Sequence, residues 1–312
     1  MRILNCQIKI GTLTFSQVEE VRIESGWKKL TDTATITRPR NSGERETDLR
    51  TLFQPGTPVS VMLGYDGKLR TEFAGYVRAV RPSDPVRIEC EDEMYLLKEV
   101  NVVGHWKAVN LQAFLSEVLP AGIEFRAVDI NLGDVRISSV ALSKVLENFR
   151  KTYGLQSYFR EGKLVVGFPY DLDGSDSVRI NFQRDVAGDQ LRYEMAGSRK
   201  LKVRATSYYP DNTTETVEIG EPDGEVRSLS YYNVPAGELR TVAEEELQRW
   251  NYDGYSGSLT VFGEPVLDHG QTVELIDSLR PDRQGAYLVD ATQVTFGTGG
   301  FRRRITLGRK AK

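Results

Sequence analysis

The chain has 312 residues, room for two or three domains of ordinary size. Its 41 Lys and Arg against 44 Asp and Glu leave a formal charge of −3, with a pI near 5.7. That balance argues against a chain built to coat nucleic acid, and 39% hydrophobic with 27% charged residues excludes disordered and fibrous classes.

Met1 to Lys9 alternates apolar and polar residues, unlike the unbroken apolar core of a signal peptide. No stretch approaches the roughly 18 apolar residues of a membrane span. The expectation is a protein folded in a cytoplasm without its own export signal. Two cysteines, Cys6 and Cys90, are too few for a disulfide framework, and both are expected as buried thiols.

Residues 1–100 read as β. Ala34 and Ile36 alternate with Thr33, Thr35 and Thr37, and Val59, Val61 and Leu63 alternate likewise, as do Phe73, Gly75, Val77 and Ala79. Turns fall at Gln54-Pro55-Gly56, at Tyr65-Asp66-Gly67-Lys68 and at Pro82 to Pro85. Arg38 to Asp48 is polar and is expected to be an exposed excursion. Residues 101–177 change character: Asn110 caps a helix with Leu111, Phe114, Leu115 and Val118 on one face, stopped by Pro120. A second helix follows Ser138 or Ser139, carries Leu142, Val145, Leu146, Phe149 and Tyr153, and ends at Gly154; a hairpin then turns at Glu161-Gly162. From 178 to 312 the chain is β again, with a helix at about 236–250 after Pro235 and an accessory segment at 206–233.

The two β regions repeat each other. Gly56, Val59, Val61 and Phe73 correspond to Gly270, Val273, Leu275 and Tyr287 at an offset of 214, and Ile88-Glu89-Cys90 to Ile305-Thr306-Leu307 at 217. The fold class is therefore mainly β with an α+β insertion: two similar β-barrels plus a small α/β domain.

No catalytic constellation assembles. His105 and His269 have no ligand-spaced partners, so no metal is expected; His269 reads as an ordinary polar turn residue. Gly254 to Ser258 departs from the nucleophile elbow, and Gly297 to Gly300 precedes a strand, which makes it a hairpin turn. Asp171 to Asp176 lacks the glycine and closing glutamate of a calcium loop, and Asn212-Thr213-Thr214 without a secretory signal means little. Glu244-Glu245-Glu246 reads as a solvated helix face, and Glu89, Glu91, Asp92 and Glu93 as an acidic cluster without a partner base. Arg38, Arg40, Arg302, Arg303 and Arg304 are the candidate protein-interface residues. No cofactor is expected.

Several segments together resemble a known family. They are Val18 to Ile23, Leu30 to Thr37, Phe73 to Val77 with Ile88 to Asp92, Gly263 to Val273, Gly285 to Val289 and Gly300 to Leu307. The family is the baseplate hub, or late-control tail, proteins of contractile-tailed bacteriophages, related to the hub portion of type VI secretion spikes. The resemblance implies two tail-tube-type barrels per chain and a non-enzymatic homotrimer whose six barrels form a pseudo-sixfold ring. Such a ring joins the tail tube and other baseplate proteins to a trimeric spike in a virion or injection-device baseplate. DNA or effector passes through it without specific binding, and nothing inserts in a membrane. Three adjacent arginines would suit such a channel poorly, so Arg302 to Arg304 are expected to face a neighbouring protein. Two rivals remain at this stage. One is a cell-wall glycan hydrolase using Glu244 and Glu246; the other is a glycan-binding module using Tyr208, Tyr209, Tyr231 and Tyr232.

Overall fold

The structure, a computed structural model, describes residues 2–40, 46–169, 177–198, 200–211 and 213–311. Asp171 to Asp176 and Asn212 lie outside them. The first barrel is built from β1 (Leu4–Ile10), β2 (Leu13–Phe15), β3 (Glu20–Gly26) and β4 (Thr33–Arg38). After α1 (Glu46–Leu52) come β5 (Pro58–Tyr65), β6 (Lys68–Arg81) and β7 (Val86–Glu91). Period-2 alternation sends Ile8, Val21, Ile23, Ile36, Val61 and Ile88 into one core. Of the exposed excursion expected at Arg38 to Asp48, residues 41–45 lie outside the described residues. Arg38 is buried, and the helix that follows brings Leu49 and Phe53 fully into the core. The apolar spacing of Leu49 and Phe53, four apart, is what pulls it in.

The α/β unit begins with α2 (Met94–Glu99), β8 (Asn101–Trp106), α3 (Leu111–Val118) and β9 (Phe125–Ala127). It ends with β10 (Val135–Ala141), α4 (Leu142–Tyr153), β11 (Gln156–Arg160) and β12 (Lys163–Gly167). The Asn110 side chain accepts from the Gln112 amide, as its capping role requires, and Gly154 ends α4 in the left-handed region at φ 70°. The helix expected after Ser138 or Ser139 starts at Leu142, because Val135 to Ala141 pairs with β8 as a strand. Glu161 and Gly162 form the hairpin turn, with φ 53° and 77°.

The second barrel contains β13 (Ser177–Asn181), α5 (Phe182–Asp185) and β14 (Val186–Glu194). An accessory layer then forms from β15 (Leu201–Tyr208), β16 (Thr214–Gly220), β17 (Glu225–Tyr232) and α6 (Ala236–Trp250), with Val203, Ala205, Leu239 and Ala243 at its own small core. Barrel strands resume with β18 (Gly254–Phe262), β19 (Thr272–Ile276), β20 (Gly285–Gly297) and β21 (Gly300–Lys310). Among the described residues no helix is long and apolar enough to cross a membrane.

The repeat is visible hydrogen bond by hydrogen bond. Gly56 and Gly270 both hold positive φ, 84° and 86°, and their amides donate to Val77 and Val289 at 2.8 Å each. Both copies interrupt the next pairing with a bulge, between Val77 and Ala79 in one and between Val289 and Ala291 in the other. Cys90 opposes Val77 as Leu307 opposes Val289, which agrees with the offset of 217. The offset of 214 holds through the turn and the strand after it and then slips. Val59 opposes Gly75 while Val273 opposes Tyr287, so Tyr287 matches Gly75 rather than Phe73. The first hairpin is two residues longer, which sequence spacing alone conceals.

Strand order is β3-β4-β7-β6-β5-β1 in the first barrel and β14-β18-β21-β20-β19-β13 in the second. The two barrels are also one sheet: β20 pairs with β19 along Gly285–Leu288, then with β3 along Ala291–Gly297. The β20–β21 arm thereby delivers Val294, Phe296 and Phe301 to the first barrel's core. The division at residue 178 expected from sequence left this arm wholly in the second barrel. Burial of each such side chain is worth roughly 1.5–3 kcal/mol, which favours the crossing over a free arm.

Candidate functional site: a shared polar face and a three-way junction

The joined sheet has one face on the two cores and one face away from them. Cross-strand register sets residues of the outer face in rows. Arg302, Thr295, Arg22, Thr35 and Glu89 are successive neighbours in one row. Arg304, Gln293, Glu24, Thr33 and Glu91 form the next. The rows cross from the second barrel into the first without interruption. Their charges are met locally: Arg22 pairs with Glu24 at 2.6 Å, Arg81 with Glu89 at 2.8 Å, Lys29 with Glu24 and Lys98 with Glu91. The side-chain hydrogen bond from Lys29 holds the Glu24 carboxyl below its usual range. The result is a hydrophilic surface rich in threonine, on which the three carboxylates of Glu24, Glu89 and Glu91 are shared among Arg22, Lys29, Arg81 and Lys98.

The candidate arginines separate. Arg302 and Arg304 stand on this face. Arg302 lies over the Phe262 ring, and the Arg304 Nε donates to the Ser258 hydroxyl at 2.9 Å. Arg303 points the other way and is 2% exposed. It pairs with Glu72 of β6 at 2.8 Å and donates to the Gly263 carbonyl. Strand alternation, which flips every second side chain, rules it out as a surface contact. Arg38 is buried too, over the rings of Phe15 and Phe53. Arg40 is half-buried.

A second feature lies where the two barrels and the α/β unit meet. A cavity of about 310 Å³ is lined by Asp32, Asp92, Arg160, Asp268 and His269, among others. The Asp92 carboxylate accepts from the amides of Asp32 and Met94, and Arg160 donates to the His269 carbonyl at 2.6 Å. Burial pushes the Asp32 carboxyl up to about 6, against hydrogen bonds from Ser25 and Gly26 and the nearby Arg160 charge; Asp268 adds to the rise. Burial also raises Asp92, helped by the charge of Asp32, and lowers His269 to about 3. The His269 ring sits between Trp27 and Tyr158, one from the first barrel and one from the α/β unit, and is 1% exposed. It is therefore no ordinary turn residue. Burial in a turn depends on what packs over it, and neither the Asp-Gly context nor spacing signals that. These carboxyl groups are tied to backbone amides, an arrangement that clamps segments together.

The residues of the two rival readings do not converge. Glu246 is buried and paired with Arg309 at 2.9 Å, contrary to the solvated face expected for all three glutamates. Glu244 is exposed and pairs with Arg240 along the helix. Two residues apart on a helix, they face nearly opposite ways. Tyr208 packs edge-on to Tyr153, and the Tyr209 hydroxyl donates to the Val234 carbonyl, so the tyrosines hold the accessory layer in place.

No protein-family model matches the sequence, and no curated protein does. Solved structures match along nearly the whole chain. A tail protein from Neisseria meningitidis MC58 is 15% identical with a TM-score of 0.65, the match covering 99% of this chain and 97% of that one. The 43 kDa tail protein of prophage MuSo2 from Shewanella oneidensis is 15% identical with a TM-score of 0.66, covering 98% of both. The E. coli c3393 protein is described as a type VI secretion component with structural similarity to the T4 phage tail proteins gp27 and gp5. It is 11% identical with a TM-score of 0.61, covering 98% of this chain and 77% of that one. At these identities the likeness is one of fold. That fold, mainly β with two like barrels and an α/β unit, is the one the sequence resemblance to hub proteins implies.

Proposed function

We propose that the chain is a structural hub subunit of a phage tail or related injection device. Three copies form a ring of six barrels that joins a tail tube on one side to a trimeric spike on the other. The observation that carries this reading is the welding of two barrels of equal strand order into one sheet with an unbroken polar face. A duplicated barrel lets three chains offer six near-equivalent docking surfaces to a sixfold tube while keeping threefold symmetry for a spike.

In this reading the polar face lines the channel, and Arg302 and Arg304 face it rather than a neighbouring protein. Only two of the three arginines share the face, with Arg302 over the Phe262 ring and Arg304 hydrogen-bonded to Ser258. Of the candidate arginines, the half-buried Arg40 is the one this reading assigns to a protein contact. The role is adhesive and mechanical, with the three-way junction fixing the α/β unit against the ring.

Light scattering after size exclusion tests the proposal. The expected mass is about 105 kDa, three times the chain mass of 35.1 kDa, with six lobes in projected particle images. A monomer at every concentration, alone and with the spike, would refute the ring.

A further inference from the structure

The internal repeat leaves one edge in each barrel without its counterpart contact. Within the chain, the outer edge of β3 is covered by β20 from Ala291 onward, just past the bulge at Asp290. The Trp27 amide donates to the Asp290 carbonyl at 3.1 Å, and the Trp27 ring is buried at the junction.

Pairing locates the counterparts. Ile36 opposes Ile88 as Leu259 opposes Ile305, so β18 stands for β4. Val21 opposes Ile36 as Asp189 opposes Leu259, so β14 stands for β3. Carried along the strand, Gly26 corresponds to Glu194 and Trp27 to Met195. Among the described residues β14 has no strand on its outer edge, and Met195 is 60% exposed where Trp27 is 6%. The counterpart of the covering segment is Ala79–Arg81 of β6, past the bulge at Arg78. Its outer edge also has no strand among the described residues.

We infer that these two open edges pair between copies of the chain. Ala79–Arg81 of one protomer add antiparallel to Arg192–Glu194 of the next, and Met195 seats beside Arg78 as Trp27 seats beside Asp290. The inference rests on the ring reading and deepens it by naming the joint. Ala79 then opposes Glu194, Val80 opposes Tyr193, and Arg81 opposes Arg192, with the Arg81 charge already met by Glu89. The Gly26–Ala291 pair is so close that a Cβ on Gly26 would stand 2.8 Å from that of Ala291. The Glu194–Ala79 pair therefore opens to ordinary cross-strand spacing, about 4.5–5.5 Å between Cβ atoms. The β6–β7 arm stops near Arg81 while β20–β21 runs on to Gly297, so the joint between chains is shorter than the weld within one. Repeating one head-to-tail contact closes a ring, and each protomer supplies one donor edge and one acceptor edge.

The test is the double variant Ala79→Cys with Glu194→Cys under mild oxidation. Cys6 and Cys90 are buried and do not compete. Non-reducing gels are expected to show covalent dimers and trimers for the double variant and neither for either single variant. A wild-type trimer by light scattering without that cross-link would overturn the pairing and leave the ring standing; a wild-type monomer at all concentrations would overturn both. Met195→Asp gives a second readout: self-association weakens at least tenfold while the melting curve of the chain stays in place. Unchanged association would overturn the joint.

Discussion

The imidazole of His269 meets the phenol ring of Tyr158 edge-on, with centroids 4.6 Å apart and planes at 78°. Trp27 closes the group, 4.9 Å from His269 and 5.1 Å from Tyr158. Each ring comes from a different unit of the chain, so this contact is where the three are registered against one another.

The first prediction concerns pH. His269 titrates near 3 when folded and near 6.5 in an open chain, so the stability it supplies is present above pH 6.5 and lost as pH falls from there toward 3. Asp32 has the opposite sense: raised from 3.8 to about 6, its contribution is full below 3.8 and lost as pH rises through 6. Between pH 4 and 6 the two oppose. Asp32→Asn should tilt the stability profile in that window toward loss on acidification, by up to ~1.4 kcal/mol per pH unit relative to wild type. His269→Asn should tilt it the other way. Denaturant melts at pH 4, 5 and 6 read both slopes; two unchanged slopes would remove the junction's role in stability.

A second prediction isolates the buried ion pair. Arg303 and Glu72 are 2% and 3% exposed at the side chain and 2.8 Å apart, linking β21 to β6. Arg303→Met leaves the buried Glu72 carboxylate only Arg70, 3.7 Å away, and should cost about 3 kcal/mol. Arg303→Met with Glu72→Leu should recover much of that loss. Urea titration of the single and double variants checks the pattern, and a loss of under 1 kcal/mol for the single variant contradicts it.

The weld between barrels can be probed at Gly26. A Cβ there would lie 2.8 Å from the Ala291 Cβ and 3.0 Å from the Asp290 carbonyl oxygen, against backbone with little freedom to retreat. Gly26→Val is expected to destabilise by about 2 kcal/mol or more. Faster amide exchange should appear at Ala291–Gly297 and little change at β5. Uniform exchange across both strands would argue against a local weld.

The threonine-rich face makes a prediction about adhesion. Thr35 and Thr295 flank Arg22 in one row and make no ion pairs. Thr35→Lys with Thr295→Lys adds six positive charges to the proposed ring. Retention of short duplex DNA should appear and fall steeply between 50 and 200 mM salt, while wild type shows none. Wild-type binding of comparable strength would contradict a non-adhesive channel.

Much of this was readable from the residues. Alternation located the strands, Asn110 and Gly154 bounded helices, and the glycine turns at 56 and 270 disclosed the repeat. Alternation fixes which face a side chain takes but not which strand lies beside it, so the pairing of β20 with β3 left no mark in the sequence. Arg303 was legible by that alternation, which puts it on the inward face with Phe301 and Ile305, but the run of three like charges masked it. Asp32 was missed, and His269 was read as a plain turn residue, for a related reason. Their surroundings are assembled from segments more than a hundred residues apart.

The position of β20 in two barrels also sets an order of events during synthesis. The strand that covers β3 emerges from the ribosome about 265 residues after it. Until then the nascent first barrel lacks Val294, Phe296 and Phe301, and its β3 edge stays open. A chain that stops early therefore keeps an unsealed edge and an underfilled core, a form that proteases and chaperones recognise more readily than the finished one.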